Sequence, residues 1–129
     1  MVDEFRANGG VVGGAMAGRL LLLLTATGAK SGLQRTTPLR YFADDGRLVV
    51  SASNLGAPHD PAWYRNLLKY PDVTVEVGSE RFAGRARVLA GEERAQTWTR
   101  MSAAYPFLLE HQARTSRQLP LVALERRDR

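Results

Sequence analysis

The chain contains no cysteine, which excludes a disulfide framework, thiolate metal sites and a cysteine nucleophile. Histidine is almost as scarce, with His59 and His111 alone. No His-x-x-x-His pair and no acidic run of the calcium-loop type occurs, so no metal is expected. A Gly-x-Ser-x-Gly elbow is missing too, which leaves no local sign of a hydrolase triad. His59 stands beside Asp60 and reads as an exposed turn residue. Long hydrophobic runs are also lacking. Leu20–Leu24 is the longest leucine run, far short of the about 20 apolar residues that span a bilayer. The opening Met1-Val2-Asp3-Glu4-Phe5 is too acidic for a secretory n-region, so a cytoplasmic setting is expected. A peripheral membrane contact stays open.

What is present is ordinary globular composition, 44% hydrophobic and 24% charged, in 129 residues. That length fits one domain, 1–129, with residues 1–18 as an N-terminal helix and glycine-rich connector. Such a chain closes one core without walling off a large cavity. A large ligand would lie in an open groove or at a subunit interface, and monomer and homodimer both remain open. Eighteen basic against thirteen acidic residues leave a charge of +5. An anionic partner is the simplest implication (nucleic acid, membrane surface or a phosphorylated small molecule), with charge kept for solubility as the plain alternative.

Val2–Ala7 is expected as a short helix stopped by Asn8-Gly9-Gly10. Gly9 to Gly18 is the connector. Leu20–Ala26, apolar without alternation, predicts a strand covered on both faces. Arg35–Ala43 and Arg47–Ser53 predict a hairpin around Asp44-Asp45-Gly46. Asp60-Pro61 opens a helix that runs to about Tyr70, Asp60 accepting from first-turn amides and Pro61 taking the first position. Trp63, Leu67 and Tyr70 form its expected core face. Val73–Val77 and Arg81–Leu89 predict a second hairpin, with Phe82, Gly84, Ala86 and Val88 on one face and Arg81, Arg85 and Arg87 on the other. Helices are expected at Glu92–Tyr105 and Phe107–Arg114, then a last strand, Leu119–Glu125. Arg126-Arg127-Asp128-Arg129 reads as a solvated tail. Five or six strands joined by hairpins, with two or three helices, point to a small antiparallel barrel of mainly β (α+β) class.

Two segments carry chemistry. Gly28-Ala29-Lys30-Ser31 fails as a nucleotide P-loop, because that motif places glycine directly before the lysine and a helix behind it. Lys30, Ser31, Gly32 and Arg35 still supply a cation, a hydroxyl, a permissive backbone and a guanidinium around one turn, which suits an anion or, as the alternative, a basic surface turn. In Pro61-Ala62-Trp63-Tyr64-Arg65-Asn66-Leu67, Asn66 sits beside an apolar helix face and needs partners. Tyr105-Pro106-Phe107 with Leu108 and His111 is either core or pocket wall.

Glu4-Phe5-Arg6-Ala7-Asn8-Gly9-Gly10, Leu22 to Gly32, Arg35-Thr36-Thr37-Pro38-Leu39, Pro61 to Leu67 and Gln112-Ala113-Arg114-Thr115 through Val122 together resemble the deazaflavin (coenzyme F-420)-dependent nitroreductase family, nearly end to end. The resemblance implies a split β-barrel with helices outside and an oxidoreductase that takes hydride from reduced coenzyme F-420 to a small organic acceptor such as a quinone, enone or nitro compound. It further implies that Lys30, Ser31, Gly32 and Arg35 hold the phosphate and acidic tail, and that Thr36 and Pro38 line the channel. Ser51, Ala52, Ser53 and Asn54 would meet the deazaflavin edge, with Ala62, Trp63, Tyr64 and Asn66 closing the other side. Ser53 and Tyr105 are the candidate proton donors, and Arg40, Tyr105, Leu108 and His111 face the substrate.

This chain departs from the family's Tyr-Pro-x-Tyr-x-x-Tyr pattern, reading Tyr105-Pro106-Phe107-Leu108-Leu109-Glu110-His111. Arg40 replaces an aromatic residue of some relatives, and Ala29 an arginine. The changes bear on nitroimidazole reduction and suggest a quinone or an enone. Rival readings are an FMN reductase on the same barrel, a non-enzymatic lipid or fatty-acid carrier and, ranked last, a nucleic-acid-binding barrel. The last lacks aromatics among Arg81, Arg85 and Arg87, so no nucleic-acid partner is expected.

Overall fold

The computed structural model describes residues 1–11, 13 and 20–127. Most of the connector after Val11, with Asp128 and Arg129, therefore lies outside the described residues. In chain order the elements are α1 (Val2–Ala7), β1 (Leu21–Thr27), β2 (Gln34–Arg40), β3 (Phe42–Asp44), β4 (Arg47–Ser51) and a 3-10 turn (Asn54–Gly56). They continue with α2 (Ala62–Lys69), β5 (Asp72–Val77), β6 (Glu80–Val88), α3 (Gly91–Ala104), α4 (Phe107–Ala113) and β7 (Leu121–Arg126).

The strands form one antiparallel sheet in the order β2-β1-β5-β6-β7-β4-β3. β2 and β3 adjoin in the chain yet stand at opposite edges, so the sheet curls until its edges meet at Tyr41. Here the hairpin expected between Arg35–Ala43 and Arg47–Ser53 is corrected. The Tyr41 amide carries the β1–β2 register one step further, to the Leu20 carbonyl at 3.1 Å, β2 pairs with β1, and only Phe42–Asp44 pairs with β4. A strand that serves both edges must turn a corner. That corner makes seven strands of the expected five or six, and four α-helices replace two or three. The β3–β4 turn itself is as expected, with Asp45 and Gly46 both at positive φ, the geometry that matches strand twist.

β1 is buried on both faces. Leu22 and Leu24 point into the barrel with Val50, Val75, Val122 and Leu124. Leu21 and Leu23 face outward under Phe5 of α1, and Arg6 fixes that helix by paired 2.9 Å bonds to Glu76.

Four local expectations change. Asp60 does not cap α2; the Tyr64 and Arg65 amides bond the Pro61 carbonyl, while the Asp60 carboxylate takes Arg117 at 2.8 Å. A guanidinium gives the carboxylate a stronger, charge-assisted partner than first-turn amides. Tyr70 is exposed, because the chain leaves helical geometry there (φ −127°). Val88 is also exposed, since β6 ends at it and Leu89 turns inward instead. Arg126 and Arg127 are not a loose tail: Arg126 lies 4.0 Å over the Phe82 ring and Arg127 pairs with Asp72 at 3.3 Å.

Candidate functional site

The curl leaves a cleft of about 510 Å3 between the Tyr41 corner, the 3-10 turn and three helices, within the range usual for small-molecule sites. β2 contributes Pro38, Leu39 and Arg40, while β4 and the turn contribute Ser51, Ser53, Asn54 and Leu55. Pro61 and Trp63 stand at the start of α2, and Met101, Tyr105, Phe107, Leu108 and His111 come from α3, α4 and their junction.

The wall is stacked. The Arg40 guanidinium lies 4.5 Å from the Tyr105 ring centroid and 4.8 Å from that of Phe107. Phe107 meets His111 edge-on at 5.2 Å, and Tyr105 meets Phe42 at 6.1 Å. The Tyr105 hydroxyl donates to the Tyr41 carbonyl at 2.7 Å, so its proton holds the corner. Ser53 Oγ and His111 Nδ1 share a hydrogen bond at 3.3 Å. Burial lowers the His111 pKa and the Arg114 cation lowers it further, against a weaker upward pull from Glu110. His111 is therefore held neutral.

Two polar atoms of the lining, Ser51 Oγ and Arg40 Nε, are buried with no partner among the described residues. Such atoms cost free energy unless a ligand satisfies them. Asn54 and Leu55 both adopt positive φ, a backbone state rare for non-glycine residues and frequent where ligands bind.

Sequence reasoning missed Arg117. Its largely buried guanidinium donates to the carbonyls of Ala52, Ser53 and Ala57 and to the Asp60 carboxylate at 2.7–3.1 Å. One side chain thus clamps the whole 52–60 loop and orients Ser53. An arginine in a chain this basic carries no sequence signal for such a role.

The cationic turn stands beyond β2 from the cleft. It closes through Gly28 N to Leu33 O at 2.8 Å and Gly32 N to Gly28 O at 3.0 Å, and Ser31 Oγ accepts from Leu33 N. Gly32 has positive φ, and a side chain there would meet nothing within 4 Å. α2 pins the turn: Asn66 Oδ1 accepts from the Ala29 amide at 2.9 Å and Lys69 Nζ donates to the Ala29 carbonyl at 3.0 Å. Lys30 and Arg35 are exposed beside it. Thr36 is bonded through its hydroxyl to that of Thr25 at 2.8 Å.

Among the predicted contacts, the cleft brings together Pro38, Arg40, Ser51, Ser53, Asn54, Trp63, Tyr105, Leu108 and His111. Ala52 is fully buried, with its amide and carbonyl engaged by Pro120 and Arg117. Ala62 is exposed, and Tyr64 packs edge-on to Trp63 at 6.3 Å. Asn66 spends its carbonyl oxygen on the turn.

A curled antiparallel barrel with an aromatic-walled open cleft, and a cationic turn leading into β2, has the parts that suit a flat, anionic coenzyme. The model of the F420H(2)-dependent quinone reductase family matches residues 1–126, and the chain belongs to that family. An F420H(2)-dependent quinone reductase of Mycobacterium tuberculosis, Rv1261c, is 38% identical over 109 residues, covering 82% of this chain and 73% of the relative. A solved F420-H2 dependent reductase, FDR-A, superposes with a TM-score of 0.75 at 39% identity, covering 83% of this chain and 95% of the other. A structure described as a domain-swapped dimer gives 0.78 at 36%, covering 96% and 91%. The family and split-barrel expectations are thus met. The chain is an oxidoreductase of the F-420-dependent class, and its cofactor is coenzyme F-420. The donor set fits that group: a roomy cleft whose Ser51 hydroxyl has no partner among the described residues, and a turn leading into β2 with exposed Lys30 and Arg35 and an unobstructed Gly32.

Proposed function

We infer that this chain seats reduced coenzyme F-420 in the cleft, with its phosphate and acidic tail on the Lys30–Arg35 turn, and reduces a quinone there. The observation that carries the reading is the buried Ser51 Oγ, which has no partner among the described residues, on a cleft joined through β2 and α2 to an anion-ready turn. When bound, the coenzyme supplies a hydride.

The chain's own residues do the rest. Lys30, Arg35 and the backbone around Gly32 bind negative charge, Ser51 Oγ bonds the ring edge, and Pro38 and Trp63 flank the ring and exclude water. Asn66 positions the turn from α2. Ser53 Oγ passes a proton to the acceptor oxygen and recovers one from His111 Nδ1 while the ring takes a proton from solvent at Nε2, a relay that general acids support when they lie within hydrogen-bond reach. Ser53 is favoured over Tyr105 as donor, because the Tyr105 proton is engaged by Tyr41. The neighbour described as a domain-swapped dimer supports a homodimeric assembly for this chain.

Titration of oxidised F-420, with FMN in parallel, tests the reading. F-420 should bind preferentially, and Lys30→Ala with Arg35→Ala should weaken it by about 100-fold or more, at about tenfold or more for each charged contact. FMN preference, or undiminished affinity in the double variant, would remove the assignment.

A further inference from the structure

We propose that Arg40 is the residue that takes up the negative charge formed on the acceptor oxygen, which makes it both a catalytic and a specificity-determining group. The proposal rests on the quinone-reductase reading above and names the part of that site which senses acceptor chemistry.

Arg40 ends β2 at the corner, where its guanidinium lies over the adjoining Tyr105 and Phe107 rings at 4.5 and 4.8 Å. No carboxylate among the described residues pairs with it, and its Nε is buried without an acceptor. A planar cation packed over two adjoining rings has already lost much of its rotamer freedom, so little reorganisation accompanies a new hydrogen bond. The other charged side chains near the wall are committed elsewhere or point away. Arg117 makes four hydrogen bonds to the 52–60 loop, and Arg114 donates to the Leu55 carbonyl.

Hydride addition carries two electrons and one hydrogen into the acceptor. As the new bond forms, the carbonyl π electrons move onto oxygen, and a proton is needed to complete the hydroquinone. Cationic donors already aimed at developing charge lower the barrier more than they tighten substrate binding. Arg40 would therefore act on kcat, with Ser53 and His111 delivering the proton on the same wall: Phe107 contacts both Arg40 and His111. An acceptor that places its growing charge on a carbonyl oxygen gains from this arrangement, and one that spreads it away from Arg40 gains less.

The variant to compare is Arg40→Met, which keeps an unbranched stem against the rings and removes the charge. Both proteins would be titrated with oxidised F-420, then assayed across quinones whose hydroquinones span a range of pKa. The expected result is F-420 affinity within about twofold of the parent and kcat lower by about 100-fold. The loss should deepen as the hydroquinone becomes more basic. A loss of equal size for every quinone, an unchanged kcat, or a matching fall in F-420 affinity would overturn the proposal. Failure of the parent chain to bind F-420 would instead remove the reading beneath it, a result visible before any variant is assayed.

Discussion

Ser53 and His111 touch through one hydrogen bond, and the chemistry of that bond depends on a single proton. The imidazole is packed against Phe107, on the same helix as Arg114 and Glu110, and burial holds its pKa below the ordinary 6.5. As pH falls the unfolded chain takes the proton first. The stabilising contribution of neutral His111 is then complete above about 6.5 and is lost as pH drops through the folded value. Urea unfolding of the parent and of His111→Phe, from about pH 7.5 to about pH 5, should show stability falling more steeply in the parent below that point. Parallel pH profiles would mean that His111 is not held neutral by its surroundings. The pairing itself could not be read from the sequence. Ser53 and His111 are 58 positions apart, and neither period 2 nor period 3.6 links residues so distant. Each was legible only singly, as a residue of the right type in a segment that resembles the family's site.

The 3-10 turn and α4 form the element pair on which that contact depends. Gly56 has φ +80°, and a Cβ there would lie 2.6 Å from the His111 carbonyl and 2.9 Å from Arg114 Cβ. His111 is in α4 and Arg114 directly follows it, so an added methyl must push the turn and the end of the helix apart. Gly56→Ala should destabilise the fold by about 1–3 kcal/mol through its backbone conformation alone. It should also lower kcat by more than it changes F-420 affinity, because Ser53 moves while the Lys30–Arg35 turn does not. Thermal unfolding with F-420 titration checks this, and equal loss of both functions would place the damage elsewhere. Elements of this kind were less legible than the regular ones. The helices at Ala62–Lys69 and Gly91–Ala104 and the β5–β6 hairpin followed from periodicity and turn residues. The break at Tyr41 did not, since Arg35 to Ala43 is uniformly strand-like and only sheet closure makes it bend. The 3-10 turn had no signal beyond Asn54, because Leu55 at positive φ goes against local preference.

At the scale of the molecule, the curl that creates the cleft needs an anchor at the free end of the sheet, where β3 is the last strand. Asp44 supplies it. The carboxylate is nearly buried and accepts from Arg47 within the hairpin and from Arg100 of α3 at 2.9 and 3.0 Å. Arg47 continues to Glu93 and Thr97, and Arg87 joins Glu93 to Glu125 of β7. The network therefore ties β3, β4, α3, β6 and β7 into one unit around the barrel's seam. Arg100 lowers the Asp44 pKa most, with Arg47 adding to it against the opposing effect of burial, and Arg87 with Arg47 holds Glu93 at about 2. A depressed carboxylate contributes stability that is present above its ordinary value and is lost as pH falls through the folded one. Asp44→Asn keeps the shape and removes the charge. It should cost about 1–3 kcal/mol at neutral pH, a modest figure because Arg100 is half exposed and water screens its share. The gap between parent and variant should then close on acidification, as the parent's own Asp44 takes up its proton. Unfolding at neutral pH and along an acid series would show both effects. A gap that persists unchanged into acid would mean that the hairpin is held to α3 by shape, and that the charge of Asp44 does not close the barrel.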